Sequence, residues 1–282
     1  MSDDHGIPQG PPFAIGGLGG SGTRATAMLV RNCGCWLGGE LNDALDNLWF
    51  TLLFKRASVL IDSEAQLGSL FDMFAKRMTG GDPFKAAGAC DLTDLARRDR
   101  FTYTADWLQD RLESFVSPKE PQPSGQRWGW KEPNTHVVIE RLFRLSADLK
   151  YVHVVRDPFY MAFSKNQNQA KIWGSTFLDR QLSGSASDAL AYWVAVHRRI
   201  EALGDQYPGR VMFFSHDRFM TDPGPEAARL LDFLQINPPA DTNQLFHEIV
   251  FRPSERPKTL LEAGQADTGD LAYCDRFIDR FI

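Results

Sequence analysis

The residues FAIGGLGGSGTRATA, positions 13–27, combine the groups that bind an oxyanion. Phe13-Ala14-Ile15 reads as a short buried strand, the glycines after it as a tight loop, and TRATAMLVRN (23–32) as the helix that follows. At such a junction the first helical turn presents backbone N–H groups and the positive end of the helix dipole. Glycine lets that backbone approach an anion and take positive φ where required. Gly19, Gly20, Ser21, Gly22, Thr23 and Arg24 are therefore the candidate phosphate cradle, with two hydroxyl donors and one fixed positive charge. Gly17 and Gly22 have the spacing of the pattern G-x-x-x-x-G-K-[ST], but Thr23 stands where that pattern needs its lysine. Without the lysine and a clear acid to hold magnesium, the loop is poorly equipped for ATP or GTP hydrolysis.

A second segment, VVRDPFYMAFSKN, puts Arg156 at the end of an apolar strand and Ser164 eight residues later, about two helical turns on. An anion held there is separate from one held at residues 19–24. Two anion sites on neighbouring strands suit a nucleotide phosphorylated at both ends.

The elements that must position these residues follow from periodicity. Tyr151–Val155 and Val211–Phe214 read as buried strands, and RWGWK as a short strand ending at Lys131. Helices are expected over 42–56, near 63–79, 91–98 and 104–116, from about Asn134 to Leu145, over 186–203, and in PEAARLLDFLQI. SPKEPQPSGQ (117–126) is the clearest loop. Strands alternating with helices predict an α/β fold: a central parallel sheet flanked by helices on both faces. Residues 1–11 are expected to be a loose tail and 12–282 a single domain.

At this point the sequence resembles the PAPS-dependent sulfotransferases. The resemblance rests on GGLGGSGTR for the loop that grips the 5′-phosphosulfate and VVRDPFYMAFS for the 3′-phosphate site. WGWKEPNTH matches the family's lysine-proline strand end, and VMFFSHDRFMTDPGPEAARLLDFLQI its late strand, turn and closing helix. These four motifs span residues 13–236 in the family's order. The resemblance implies a fold like that of the P-loop nucleotide kinases, PAPS as co-substrate leaving as PAP, and no required metal. The acceptor it implies is a carbohydrate, a glycolipid or a small hydroxylated metabolite. A P-loop kinase and a nucleotide-binding protein without activity are the alternatives.

The family loop usually carries a lysine or arginine just before Ser-Gly-Thr, and here that place is Gly20. The resemblance makes Lys131 the candidate cation at the leaving oxygen, with Arg24 as the other residue able to reach back. For the base it implies a glutamate after the first helix; Glu40 in LGGELNDALDN stands nearest, then Asp43. His136, just past Lys131-Glu132-Pro133, is the alternative base, while His153 inside a strand reads as structural. Arg252, in the irregular IVFRPSERPKTLLEAG, is the candidate from the basic loop that many members close over the nucleotide.

Composition narrows the rest. A net charge of −5 and a pI near 5.7 speak against a general nucleic-acid binder and against broad polyanionic glycans as acceptor. Trp128, Trp130 and Trp173 are candidate stacking faces for sugar rings. Cys33, Cys35, Cys90 and Cys274 lack a metal-knuckle spacing and are expected to be reduced thiols of a cytoplasmic protein. The polar start MSDDHGIPQGPP is not a signal peptide, and no run of about 18 apolar residues predicts a membrane span.

Overall fold

Four parallel strands form the centre of the molecule: β1 (Phe13–Gly17), β2 (Gly129–Lys131), β3 (Lys150–Val155) and β4 (Val211–Ser215), in spatial order β2-β1-β3-β4. The computed structural model describes residues 10–86, 88–97, 100, 103–117, 125–239, 246, 249 and 266–282. Phe13 pairs with Gly129 on one side and Lys150 on the other, and Tyr151 pairs with Val211. All four strands therefore end on one edge. In an open parallel sheet of this order, ligands sit at the carboxyl edge beside the β1/β3 switch point. The glycine loop leaves β1 there, and Arg156 follows β3.

The helices are α1 (Thr23–Asn32), α2 (Leu48–Phe54), α3 (Glu64–Met78), α4 (Thr93–Ala96), α5 (Ala105–Val116), α6 (Ile139–Leu145), α7 (Pro158–Ala162), α8 (Asn168–Leu178), α9 (Ala186–Gln206), α10 (His216–Thr221), α11 (Pro223–Leu234) and α12 (Thr268–Phe281). Alternation along the strands splits the core between the two faces. Phe13, Ile15, Val152, Val154, Met212 and Phe214 pack with α1, α10 and α11. Ala14, Tyr151 and Val155 turn the other way, into a larger cluster with α2, α3, α5, α6 and α9. Trp130 lies there with its ring 5.3 Å from that of Phe50 and 5.4 Å from that of Phe74.

The helix expected over 42–56 is shorter at its start, and the cause is local. The Asn42 carboxamide oxygen accepts from the N–H groups of Ala44 (3.0 Å) and Asp46 (2.9 Å), a turn that competes with helix formation. Asn47 then caps the real helix by accepting from the Phe50 N–H at 2.8 Å. Asp43 thus lies on an exposed turn and not in a helix. The expected helix from Asn134 opens instead as a 3₁₀ turn, Pro133–Val137, before α6. The proposed stacking tryptophans are core residues: Trp128, Trp130 and Trp173 are 5%, 0% and 1% exposed.

Candidate functional site

The start of α1 offers uncapped backbone donors and carries no acid. Gly22, its N-cap, sits in the left-handed region at φ 96°, no side chain caps the helix, and the first turn holds no acid. Ala25 and Thr26 donate to the Gly22 carbonyl at 3.0 and 3.3 Å, which leaves the Thr23 and Arg24 N–H groups without an intrahelical acceptor. Ser21 is 2% exposed, yet its hydroxyl has no hydrogen-bond partner. A buried polar group left unpaired costs about 1–3 kcal/mol, and an ordered water or a bound oxyanion would relieve that cost. Arg24 is exposed. The Gly19 N–H is occupied by the chain itself, donating to Oε1 of Gln169 on α8 at 2.8 Å.

Arg156 and Ser164 converge on the same loop. The Arg156 guanidinium lies 3.6 Å from the centre of the Tyr160 ring and donates to the Gly20 carbonyl at 3.0 Å. A Cβ on Gly20 would stand 3.3 Å from the Ser164 hydroxyl, at a φ of 91° that disfavours any side chain. The glycine at this place therefore has a backbone reason: the loop turns here in a conformation that a lysine resists. His216, the first residue after β4, also belongs to the loop's surroundings, because a methyl group on Gly22 would collide with its imidazole. Its Nδ1 is buried without a partner. Burial, and then the Arg156 charge, push its pKa down to about 4. The sequence reading missed His216, although the rule that singled out Arg156, a polar residue at a strand's carboxyl end, selects it equally.

Lys131 ends β2, directly beside β1, with its Cα paired to that of Ile15. Its side chain is buried, forms an ion pair with Asp46 and donates to the Ala44 carbonyl at 2.9 Å. The Asn42–Asp46 turn is clamped onto this strand end by the Asn47 N–H, which donates to the Lys131 carbonyl at 2.7 Å. Glu132 takes a different cation. It sits 3.6 Å from Lys55 and accepts from the Asn134 backbone and side chain at 2.6 and 2.9 Å. Burial raises its carboxyl, with Lys55 pulling the other way.

The candidate bases do not gather around Lys131 in the same way. Glu40 accepts from the Ser114 hydroxyl at 2.6 Å and stands 3.4 Å from Arg111, both on α5. Its side chain is 26% exposed, enough to be reached from solvent. It is Asp46, and not Asp43, that meets Lys131. His136 is completely buried, with Nδ1 on the Pro133 carbonyl at 2.9 Å and Nε2 on the Tyr192 hydroxyl at 3.0 Å. Both nitrogens are engaged, which removes it as the base. His153 is buried inside β3 and its Nδ1 meets the Tyr151 hydroxyl at 2.8 Å. Arg252 lies outside the described residues.

Residues 56–240 match the profile of the Sulfotransferase family. That span takes in Lys131, Arg156 and Ser164 and begins after the glycine loop and Glu40. Among solved structures, the chain is similar to the sulfotransferase domain of the Synechococcus PCC 7002 olefin synthase, at 15% identity and a TM-score of 0.50, over 99% of this chain and 98% of that one. It is also similar to the sulfotransferase STF9 of Mycobacterium avium, at 13% identity and a TM-score of 0.48, over 97% and 76%. A sulfotransferase from Alicyclobacillus acidocaldarius aligns at 16% identity and a TM-score of 0.44, over 96% and 97%. Comparison with curated proteins returns no match.

Proposed function

Because the chain belongs to the sulfotransferase family, we propose that it moves a sulfuryl group from PAPS to the hydroxyl of a carbohydrate, glycolipid or small metabolite and releases PAP. One observation carries this reading. Arg156 and Ser164, from the end of β3 and the segment after it, meet the glycine loop of β1 at Gly20. Donor groups brought side by side from two adjacent strands suit a bisphosphorylated adenosine.

In this reading the N–H groups at the start of α1, with the Ser21 and Thr23 hydroxyls, hold the 5′-phosphate. Arg156 and Ser164 hold the 3′-phosphate. The acceptor oxygen attacks sulfur as the bond from sulfur to the bridging oxygen breaks; Glu40 takes the hydroxyl proton. An ammonium has three N–H donors, and Lys131 spends two on Asp46 and the Ala44 carbonyl. The third serves the bridging oxygen as its charge develops. The transferred group carries less charge than a phosphoryl group, so fixed donors and cations suffice for this electrostatic work. A cytoplasmic setting fits four free thiols, and among the described residues no helix is long and apolar enough to cross a membrane.

Calorimetry with PAP against ATP and magnesium is the first test, followed by transfer from labelled PAPS to a panel of hydroxylated acceptors. ATP turnover with no response to PAPS replaces the reading with a kinase. Tight PAP binding without transfer to any acceptor leaves an inactive binding protein. Arg156→Ala is expected to weaken PAP binding by about 1.5–3 kcal/mol, the worth of a hydrogen bond to a charged group; unchanged affinity removes the 3′-phosphate assignment. Glu40→Gln is expected to leave PAP affinity intact and lower turnover by about 10²-fold. That is the low end for a positioned base. Full activity in this variant moves the base elsewhere, with Asp43→Asn as the next variant to assay.

A further inference from the structure

Two buried polar atoms at the glycine loop have no hydrogen-bond partner: the Ser21 hydroxyl and Nδ1 of His216. Most buried polar groups in proteins are paired, with protein, water or a ligand, so two open ones side by side at one loop form a place where a ligand can complete both bonds. The two belong to different elements. Ser21 is in the loop, while His216 follows β4 and lays its ring against Gly22, the N-cap of α1. Arg156 reaches the Gly20 carbonyl at 3.0 Å from the strand between them. Three strand ends thus bracket the same loop residues, 20–22.

The charges around the imidazole are few. Asp217 follows it on α10 and accepts from the Asp157 N–H at 2.9 Å. Glu226 of α11 accepts from the Ser215 N–H at 2.7 Å and is paired with Arg229 at 2.5 Å. Arg24 on α1 and Arg218 on α10 are exposed. Arg156 is the charge that acts on the ring and disfavours its protonated form.

We propose that His216 is a ligand of the bound nucleotide's phosphate and takes up a proton as the nucleotide binds. This rests on the donor-site reading above. The 5′-phosphate at the α1 N–H groups, next to the Gly22 that His216 packs against, brings about 1.5–2 negative charges beside the ring and offsets the Arg156 guanidinium. The sign of the field on His216 then reverses, and the imidazolium becomes the favoured, hydrogen-bond-donating partner. Coupled proton uptake makes PAP affinity rise as pH falls, by up to about tenfold per pH unit for one proton.

The test is calorimetry with PAP on the full chain at several pH values from about 7.5 to about 5.5, a span of about two pH units of linkage, in buffers of different ionisation heat. Wild type, His216→Asn and His216→Gln are compared, so that protons gained or lost by PAP itself cancel. The wild type is expected to take up more protons than either variant, and its affinity advantage to widen as pH falls. In the wild type, one histidine carbon resonance should titrate in the PAP complex and not in the free protein, and should be missing from His216→Gln. Equal proton uptake in wild type and variants overturns the proposal. If both variants fail to fold, the wild-type resonances decide, and a complex with no newly titrating histidine overturns it. PAP binding without the proton difference defeats this inference alone; a wild type that ignores PAP defeats the donor-site reading and this inference with it.

Discussion

Lys131→Ala is expected to lower turnover at saturating PAPS and acceptor by about 10²–10³-fold, the usual loss when one preorganised donor to a developing oxyanion is removed. The position of the residue supports so large an effect. Lys131 ends the strand next to the glycine loop, and its buried ammonium is fixed by Asp46 and the Ala44 carbonyl. A cation held in this way needs no reorganisation when negative charge appears on the bridging oxygen. Lys131→Ala also leaves the Asp46 carboxylate without its partner, so a thermal melt must accompany the kinetics. The double variant Lys131→Met, Asp46→Ala removes both charges together. It should recover stability and not turnover, because a buried pair replaced by apolar groups is often neutral while a half-broken one is costly. A turnover near wild type in either variant takes Lys131 out of the reacting centre.

The second large effect is acid unfolding. His136 and His216 are pushed down to about 4 and His197 to about 3, each chiefly by burial, and His153 is held well below its ordinary value by burial and then by His197. The folded pKa lies below the unfolded one in every case, so on acidification the unfolded chain takes the protons first. Stability is complete above the unfolded value of about 6.5 and is lost as pH falls through the window down to the folded values. Each histidine contributes about 1.4 kcal/mol per pH unit at its steepest, so four acting together reach at most about 5.5 kcal/mol per unit. Set against a total stability of about 5–15 kcal/mol, this unfolds the protein within a few pH units of neutrality. Glu132 opposes the trend, since burial raises its carboxyl and lets the folded state bind a proton first. Denaturant midpoints at decreasing pH check the expectation, and a midpoint that stays level from neutrality into the acid range refutes it.

The sheet was legible because its strands are short, apolar and largely buried. Phe13-Ala14-Ile15, Tyr151–Val155 and Val211–Phe214 all lie within observed strands, and α1 spans the expected residues. Glycines and polar residues placed after those strands named the loop, Lys131 and Arg156, which the fold brings to one edge. Strand order was not legible, since it depends on which faces meet and not on any one segment. The 42–46 turn was misread as helix because Leu45 keeps helical spacing with Leu48, Trp49 and Leu52, while the Asn42 side chain, a single competing acceptor, decides the backbone. Partnerships across the chain were also hidden. Nothing in the local sequence joins Glu40 to Ser114, Lys131 to Asp46, or Gln169 to Gly19. α8 and α12 were not anticipated; α8 carries a mixed surface, and α12 buries only Tyr273, Cys274 and Phe277.

The bond from the Gly19 N–H to Gln169 gives the cradle a resident occupant. Any incoming oxygen that takes this N–H has to evict a carboxamide that never diffuses away. The apparent affinity for such a ligand is its intrinsic affinity scaled by the fraction of time the tethered rival is absent. In the proposed donor site this sets a threshold: a weakly held anion loses the contest to Gln169, and only a molecule gripped at several other points prevails.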